Sequence, residues 1–180
     1  MSIVTPADFS QKNARYYIPK NNGQEEELQS YIDQVECDYL PLLLGVELYD
    51  LFIADLDGTT NEPQSQIYKD IFEPFKKQYD QHCFGQGSRI LVSDGIKAVI
   101  MGITYFLYLR DRVTRVTTVG LKQTEGVNSS NVGGVRHDLN SRYNQAVGSF
   151  LAIQEFITKI NNCVDYPTFK GQAIEYNHSL

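Results

Sequence analysis

Tryptophan is absent from the 180-residue chain, and methionine, histidine and cysteine are scarce, at two, three and three residues. The cysteines, Cys37, Cys83 and Cys163, stand far apart and are odd in number. They form no CxxC pair and no zinc-ligand spacing, so the thiols read as free, in a reducing compartment. Positive charge is in deficit, with 16 Lys and Arg against 22 Asp and Glu and a formal charge of -6 at pH 7. A protein that grips nucleic acid by neutralising phosphates needs a basic face, which argues against that class. A protein that surrounds DNA without holding it stays open, because an acidic wall repels phosphates and lets a duplex slide. No long apolar run is present either. The longest, Ile96 to Leu109, is broken by Lys97 and Thr104 and falls well short of the ~20 residues needed to cross a bilayer. The opening residues, MSIVTPADFSQKNARYYIPKNNG, contain no stretch suited to a signal peptide. The expectation is a soluble intracellular product with no membrane association.

What is present suffices for one domain with a sizeable core. Apolar residues make up 42% of the chain, and 12 tyrosines dominate the aromatic content. Tyrosine suits half-buried and interface positions, where the ring packs and the hydroxyl stays wet. Residues 1–24 look irregular, with Pro6, Pro19 and an Asn21-Asn22-Gly23 turn signal, and read as an N-terminal arm that is either loose or ordered against a neighbouring subunit. From Glu25 the pattern is helical: Leu28, Tyr31, Ile32, Val35 and Tyr39 share one face, and Glu25 to Glu27 complement the helix dipole. Pro41 predicts a kink or a fresh helix start, with Gly45 as a second permissive point. Val46 to Leu56 forms a further amphipathic stretch that groups Leu48, Leu51 and Phe52. After a turn over Asp57 to Pro63, Ile67, Ile71, Phe72, Phe75 and Tyr79 recur at helical spacing, interrupted by Pro74. Gly85 to Ser88 reads as a loop.

Ser93 to Arg115 is the most informative segment. Ile96 to Leu109 is apolar on nearly every side, as befits the buried centre of a small bundle. Thr117 to Val135, rich in Gly, Ser, Asn and Thr with short alternating pieces, reads as an extended arm or hairpin projecting from the body. A last long helix is expected from about Asp138 to Asn161, with Leu139, Tyr143, Ala146, Val147, Phe150, Ile153, Ile157 and Ile160 on one face. Residues 166–180 form a short tail. The predicted fold is mostly α: a bundle of four to five helices over 25–165 carrying an extended or β-hairpin arm at 117–135.

One string resembles a catalytic motif. Phe52 to Thr60, FIADLDGTT, resembles the first motif of the haloacid dehalogenase superfamily of phosphohydrolases. The resemblance implies attack on phosphorus by Asp55, proton handling by Asp57 and a magnesium ion between them, with Lys97 and Ser93 as the accessory lysine and hydroxyl. In that family the motif closes a buried parallel strand, whereas here Leu44, Leu48, Leu51, Phe52 and Asp55 recur at helical spacing. Nothing after Thr60 alternates strand with helix as a doubly wound sheet requires, and no downstream acidic pair closes a strand. The plainer reading is a helix end followed by an Asp-Gly turn. His82-Cys83 is a lone pair without a second half, Gly133-Gly134 has no GK[ST] after it, and His137 and His178 have no visible acid or nucleophile partner. No catalytic, cofactor or metal-ligating residue is assigned.

Four stretches, taken in order, resemble a different family. Tyr39 to Asp50, YLPLLLGVELYD, is similar to a YL…LLG..LY helix junction. Gly95-Ile96-Lys97 followed by Tyr105 to Asp111, YFLYLRD, is similar to a central GIK…YF.Y.RD helix. Thr118 to Lys122, followed by Glu125 and Asn128, is similar to a projecting arm, and Arg142 to Val147, RYNQAV, to the start of a last helix. Together they resemble the head–tail connector, or neck adaptor, family of tailed bacteriophages, in the versions found in crAss-like phages of gut Bacteroidales. The resemblance implies a non-enzymatic virion subunit, made in the host cytoplasm, that assembles as a ring of about twelve copies below the portal. Portal and other neck or tail proteins would be its partners, and DNA would pass through the lumen without specific binding. The expected interface residues are Val119, Gly120, Leu121, Lys122, Glu125 and Asn128 of the arm, with Arg110 and Arg112 beside it. A phosphohydrolase using Asp55 and Asp57, or a monomeric helical binding module, are the alternatives.

Overall fold

In the computed structural model the described residues are 2–10, 15–19, 24–80, 88–117, 120–123 and 132–176, with the backbone alone at 80, 113–117, 120–123 and 132–136. Five helices account for most of them: α1 (Glu25–Leu44), α2 (Val46–Ala54), α3 (Gln66–Phe72), α4 (Gly95–Val113) and α5 (Val132–Glu155), the last continued by a π-helical turn, Phe156–Ile160. Two antiparallel hairpins complete the fold, β1 (Phe75–Asp80) with β2 (Ser88–Ser93) and β3 (Thr114–Thr117) with β4 (Gly120–Gln123). The protein is thus a small helical bundle with a β-hairpin arm.

The centre is α4. Ile96, Val99, Ile100, Ile103, Thr104, Tyr105, Phe106 and Tyr108 are all buried, so this helix needs cover on every side, and α1, α3 and α5 pack against it. From α1 come Leu28, Ile32, Val35, Leu40, Leu43 and Leu44; from α5 come Leu139, Ala146, Val147, Phe150 and Ile153. Aromatic edges knit these layers together: Tyr31 meets Tyr108 at 5.5 Å between centroids, and Phe106 meets Tyr143 at 4.7 Å. Such contacts add to simple area burial because ring edges and faces carry opposite partial charge. Where α4 passes α5 the backbones come close. A Cβ on Gly102 would stand 2.6 Å from Ala146 Cβ and 2.9 Å from the Tyr16 hydroxyl, so only glycine fits there.

Four sequence expectations need correcting. Pro41 does not restart the helix: it lies in the last turn of α1, and the break comes at Gly45, with φ 82°. The missing Pro41 N–H costs one bond, but Leu40, Leu43 and Leu44 bury that turn, and Gly45 N–H donates to Pro41 O at 2.9 Å. The predicted helix through Tyr79 ends at Phe72. Glu73, which precedes Pro74, takes an extended conformation (φ -83°, ψ 159°), as proline's ring demands of its predecessor. The chain then runs into β1, where Phe75 and Tyr79 still share a face because a spacing of four satisfies a strand as well as a helix. Ser88 accordingly begins a strand, while 85–87 lie outside the described residues. The arm also has different limits: its strands start at Thr114, and 132–135, including Gly133 and Gly134, belong to α5.

The terminal segments dock on the domain itself. Ile3, Val4, Phe9, Tyr16 and Ile18 are buried in the core, around a 3-10 turn at Pro6–Ser10. Polar pins hold them. Asp8 accepts from Thr5 N–H at 2.8 Å and pairs with Lys97 Nζ at 2.8 Å, and Arg15 pairs with Asp94. Burial pushes the Asp8 carboxyl up, but Lys97 and Thr5 outweigh it and hold the pKa below the ordinary value. Glu36, buried on α1, accepts from Val4 N–H at 2.9 Å and the Ser2 hydroxyl at 3.0 Å. At the other end, Lys170 N–H reaches Leu44 O at 3.2 Å and Gln172 N–H reaches Leu42 O at 2.6 Å. Gln154 Nε2 adds bonds to Leu42 O at 3.3 Å and Leu43 O at 3.0 Å. The last carbonyls of a helix have no partner within it, so this tail and one side chain of α5 complete the end of α1. The tail lies so close that a Cβ on Gly45 would sit 2.8 Å from Lys170 N. Tyr166 is buried beside Phe156, its hydroxyl bonded to Ile67 O at 2.6 Å.

Glu36 supplies a test of the N-terminal attachment. Burial raises its pKa in spite of the bonds from Val4, Ser2 and Ile3. A carboxyl with a raised folded pKa contributes fully below its unfolded value, and that contribution fades as pH rises through the folded one. Glu36→Gln keeps an acceptor for Val4 N–H and is expected to remove this pH dependence with little loss of stability at pH 7. Glu36→Ala strands a buried N–H and is expected to cost ~1–3 kcal/mol. Urea unfolding of the three proteins at pH 5 and pH 7 checks both outcomes.

Candidate functional site

The Asp55–Asp57 segment follows the last turn of α2, so a helix and not a strand leads into it. Asp55 Oδ2 accepts from Gln64 N–H at 3.0 Å and Ser65 N–H at 2.8 Å, and Oδ1 accepts from the Ser65 hydroxyl. Ser65 immediately precedes α3 and makes no side-chain cap of its own. Asp55 therefore reaches across from α2 to close the loop and seat the start of the next helix. Asp57 Oδ1 accepts from Thr59 N–H at 2.8 Å and Thr60 N–H at 2.9 Å, the pattern of an Asx turn. A bridge between Leu56 and Pro63 and the positive φ of Asn61, 57°, complete the loop. Slight desolvation pushes the Asp55 carboxyl up, but Ser65, Gln64 and Lys69 together hold it below the usual value. Backbone bonds from Thr60 and Thr59 do the same for Asp57.

The other residues of the phosphohydrolase pattern have separate partners. Lys97 is paired with Asp8, and the Ser93 hydroxyl lies 3.2 Å from Ser149 O and 3.2 Å from Ser149 Oγ. Among the described residues no cluster of three His, Cys, Asp or Glu side chains is placed to hold a metal ion. Cys37 and Cys163 are free thiols, while Cys83, His82 and His178 lie outside the described residues. No helix among the described residues is long and apolar enough to cross a membrane.

Of the expected interface residues, Val119, Glu125 and Asn128 lie outside the described residues. Gly120, Leu121 and Lys122 form β4, pairing with Thr117, Val116 and Arg115 of β3. This sheet has two strands, so each presents one outer edge of unpaired backbone groups among the described residues. Arg110 is half exposed, paired with its neighbour Asp111 at 2.8 Å and 5.9 Å from the Phe106 centroid. Arg112 is drawn inward. It donates to Gln24 Oε1 at 2.9 Å and Glu27 Oε2 at 3.1 Å, and its guanidinium lies 4.6 Å from the Tyr108 centroid. That side chain ties the start of α1 to the end of α4, and of the two arginines Arg110 is the more exposed.

Two exposed features were not singled out from the sequence. The stretch Val46 to Leu56 was grouped through Leu48, Leu51 and Phe52, but only Leu48 and Phe52 turn inward; Leu51 is 50% exposed. On β2, Leu91 and Ser93 face the core while Ile90 and Val92 face out. The alternation in Arg89 to Ser93 was the available signal, masked because four of those five residues are apolar or small. Comparison of the chain with protein-family models, with curated proteins and with solved structures finds no match.

The loop geometry makes Asp55 a fastening for α3. Asp55→Ala is expected to lower stability by ~1 kcal/mol at pH 7, the usual cost of losing a helix-start acceptor at an accessible site. Because its folded pKa is depressed, this contribution is present above the unfolded value of ~3.9 and is lost as pH falls through the folded one. The gap between the two proteins in urea unfolding is therefore expected to close on acidification.

Proposed function

We propose that the protein is a structural subunit of a tailed-phage virion, a head–tail connector that forms a ring below the portal and extends the DNA channel toward the tail. The observation that carries this reading is the order of the four family-like stretches along the chain. YLPLLLGVELYD covers the end of α1 and the start of α2, and GIK with YFLYLRD covers α4. The arm stretch includes β4, and RYNQAV lies in α5. Helix junction, central helix, hairpin and last helix thus follow one another as the resemblance implies they should.

Three physical features support it. The β3–β4 hairpin lies between α4 and α5 and offers unpaired strand edges, to which a neighbouring copy can add a strand. The net charge of -6 suits a wall that DNA slides past without adhering. Segments 2–10 and 166–172 pack on the domain itself, so each copy brings its own closed core. In this reading the partners are sister copies, the portal and further neck or tail proteins. The copies meet through heterologous contacts, which close into a ring when the rotation between neighbours permits. The protein carries no catalytic function, and its place is the neck of the virion.

Class averages from negative-stain electron microscopy test the proposal on concentrated protein, alone and mixed with its cognate portal. Rings, or density capping the portal, are the expected result. Compact monomers in both samples would overturn it.

A further inference from the structure

The β3–β4 hairpin follows α4 without a linker, since α4 ends at Val113 and β3 begins at Thr114. Its direction therefore depends on how firmly the last turn of α4 is held. A helix end lacks partners for its last carbonyls and frays readily. Apolar packing gives this end little help among the residues whose side chains are described. Tyr108 is the last that is fully buried, Leu109 is buried in part, and Arg110 is exposed.

Polar contacts from α1 hold the turn instead. Arg112 donates to Oε1 of Gln24 at 2.9 Å and to Oε2 of Glu27 at 3.1 Å, and its guanidinium lies 4.6 Å from the Tyr108 centroid. Asp111 accepts from the Tyr31 hydroxyl at 3.1 Å and from Arg110 Nε at 2.8 Å, and the Tyr31 ring stands edge-on to Tyr108. Consecutive helix residues point ~100° apart, so the two attachments grip α4 on different sides and fix its rotation as well as its position. Glu27 and Tyr31 lie about one turn apart along α1, which spreads the grip along that helix too. The guanidinium fork holds two acceptors in one geometry. Its side chain is 23% exposed against 54% for Arg110, so water and salt weaken its contacts less.

We propose that Arg112, with the Tyr31–Asp111 bond beside it, is a clamp that sets the direction in which the β3–β4 hairpin leaves the domain. Arg112 is thus a positioning residue and not an interface contact, and the hairpin is an oriented element and not a swinging arm. The clamp is a property of a single copy; only its purpose rests on the ring reading above. Strand addition between copies needs every copy to present its edge at the same angle, and an edge fixed beforehand loses less freedom on pairing.

The distance from α1 to the hairpin tests it. One spin label goes on the exposed thiol of Cys37 in α1 and the other on β4 through Lys122→Cys, with Cys83 and Cys163 replaced by serine. The labelled full-length protein is diluted in unlabelled protein, so that double electron–electron resonance reads distances within one copy whether or not the copies form a ring. A narrow distribution is expected. Arg112→Met keeps an apolar stem on Tyr108 and removes every donor; it is expected to broaden the distribution and shift its mean, with circular dichroism unchanged. Arg112→Lys, which restores a charged donor without the fork, is expected to recover part of the narrowness, as a role in packing alone would not. Tyr31→Phe deletes only the bond to Asp111; it is expected to broaden the distribution less, and it carries the test if Arg112→Met does not fold. A distribution already broad in the parent, or one as narrow in the variants as in the parent, would overturn the clamp while leaving the ring standing. Compact monomers with the portal would remove the ring and leave the clamp.

Discussion

The rest of the structure follows from one constraint: α4 is apolar on nearly all sides and must be covered on all of them. No single neighbouring helix can do this, since two packed helices hide only one stripe of each. Here α1, α3 and α5 each take a side, and the N-terminal segment supplies Phe9, Tyr16 and Ile18 to the same core. Even Gly102 belongs to this requirement, because the close approach of α5 and Tyr16 leaves no room for a Cβ. Burial is the main stabilising contribution, and it explains why segments that look like loose arms in the sequence end up as parts of the core.

Burying a helix bundle also buries helix ends, whose unpaired backbone groups then need partners. The solutions in this protein are side chains and backbone brought from far away. The carbonyls at the end of α1 take bonds from Lys170 and Gln172 of the tail and from Gln154 of α5. The start of α3 takes an acceptor from Asp55 at the end of α2. The start of α1 is tied differently, side chain to side chain, by Arg112 of α4 donating to Gln24 and Glu27. In the aspartate-containing string that resembles a catalytic motif, Asp55 accepts from Gln64 and Ser65 and Asp57 from Thr59 and Thr60.

The exposed aliphatics are spread over several elements: Val46 and Leu51 on α2, Ile67 on α3, Ile90 and Val92 on β2, and Val164 after the π-helical turn. The β3–β4 sheet has two strands, so each leaves one backbone edge of the kind to which an extended segment can pair.

The sequence by itself determined the helices whose periodicity is unambiguous. The stripe from Leu28 to Val35, the all-round burial of α4 and the inward face of α5 from Leu139 to Ile157 were legible because burial repeats every three to four residues wherever a helix covers a core. The hairpin arm was legible too, from its Gly, Ser and Thr content, and the Asp57 turn from its Asp-Gly step. The tertiary structure decided the rest. Whether Phe75 to Tyr79 is helix or strand is not settled by a spacing of four, and it took pairing with β2 to make it a strand. Which side of α2 carries Leu51 depended on where α1 and α3 left room. The docking of both termini rests on partners tens of residues away, Val4 on Glu36 and Lys170 on Leu44. Local pattern records which face of an element is apolar; it carries no record of the distant group that will satisfy a buried N–H or carbonyl, because that meeting exists only once the chain has folded.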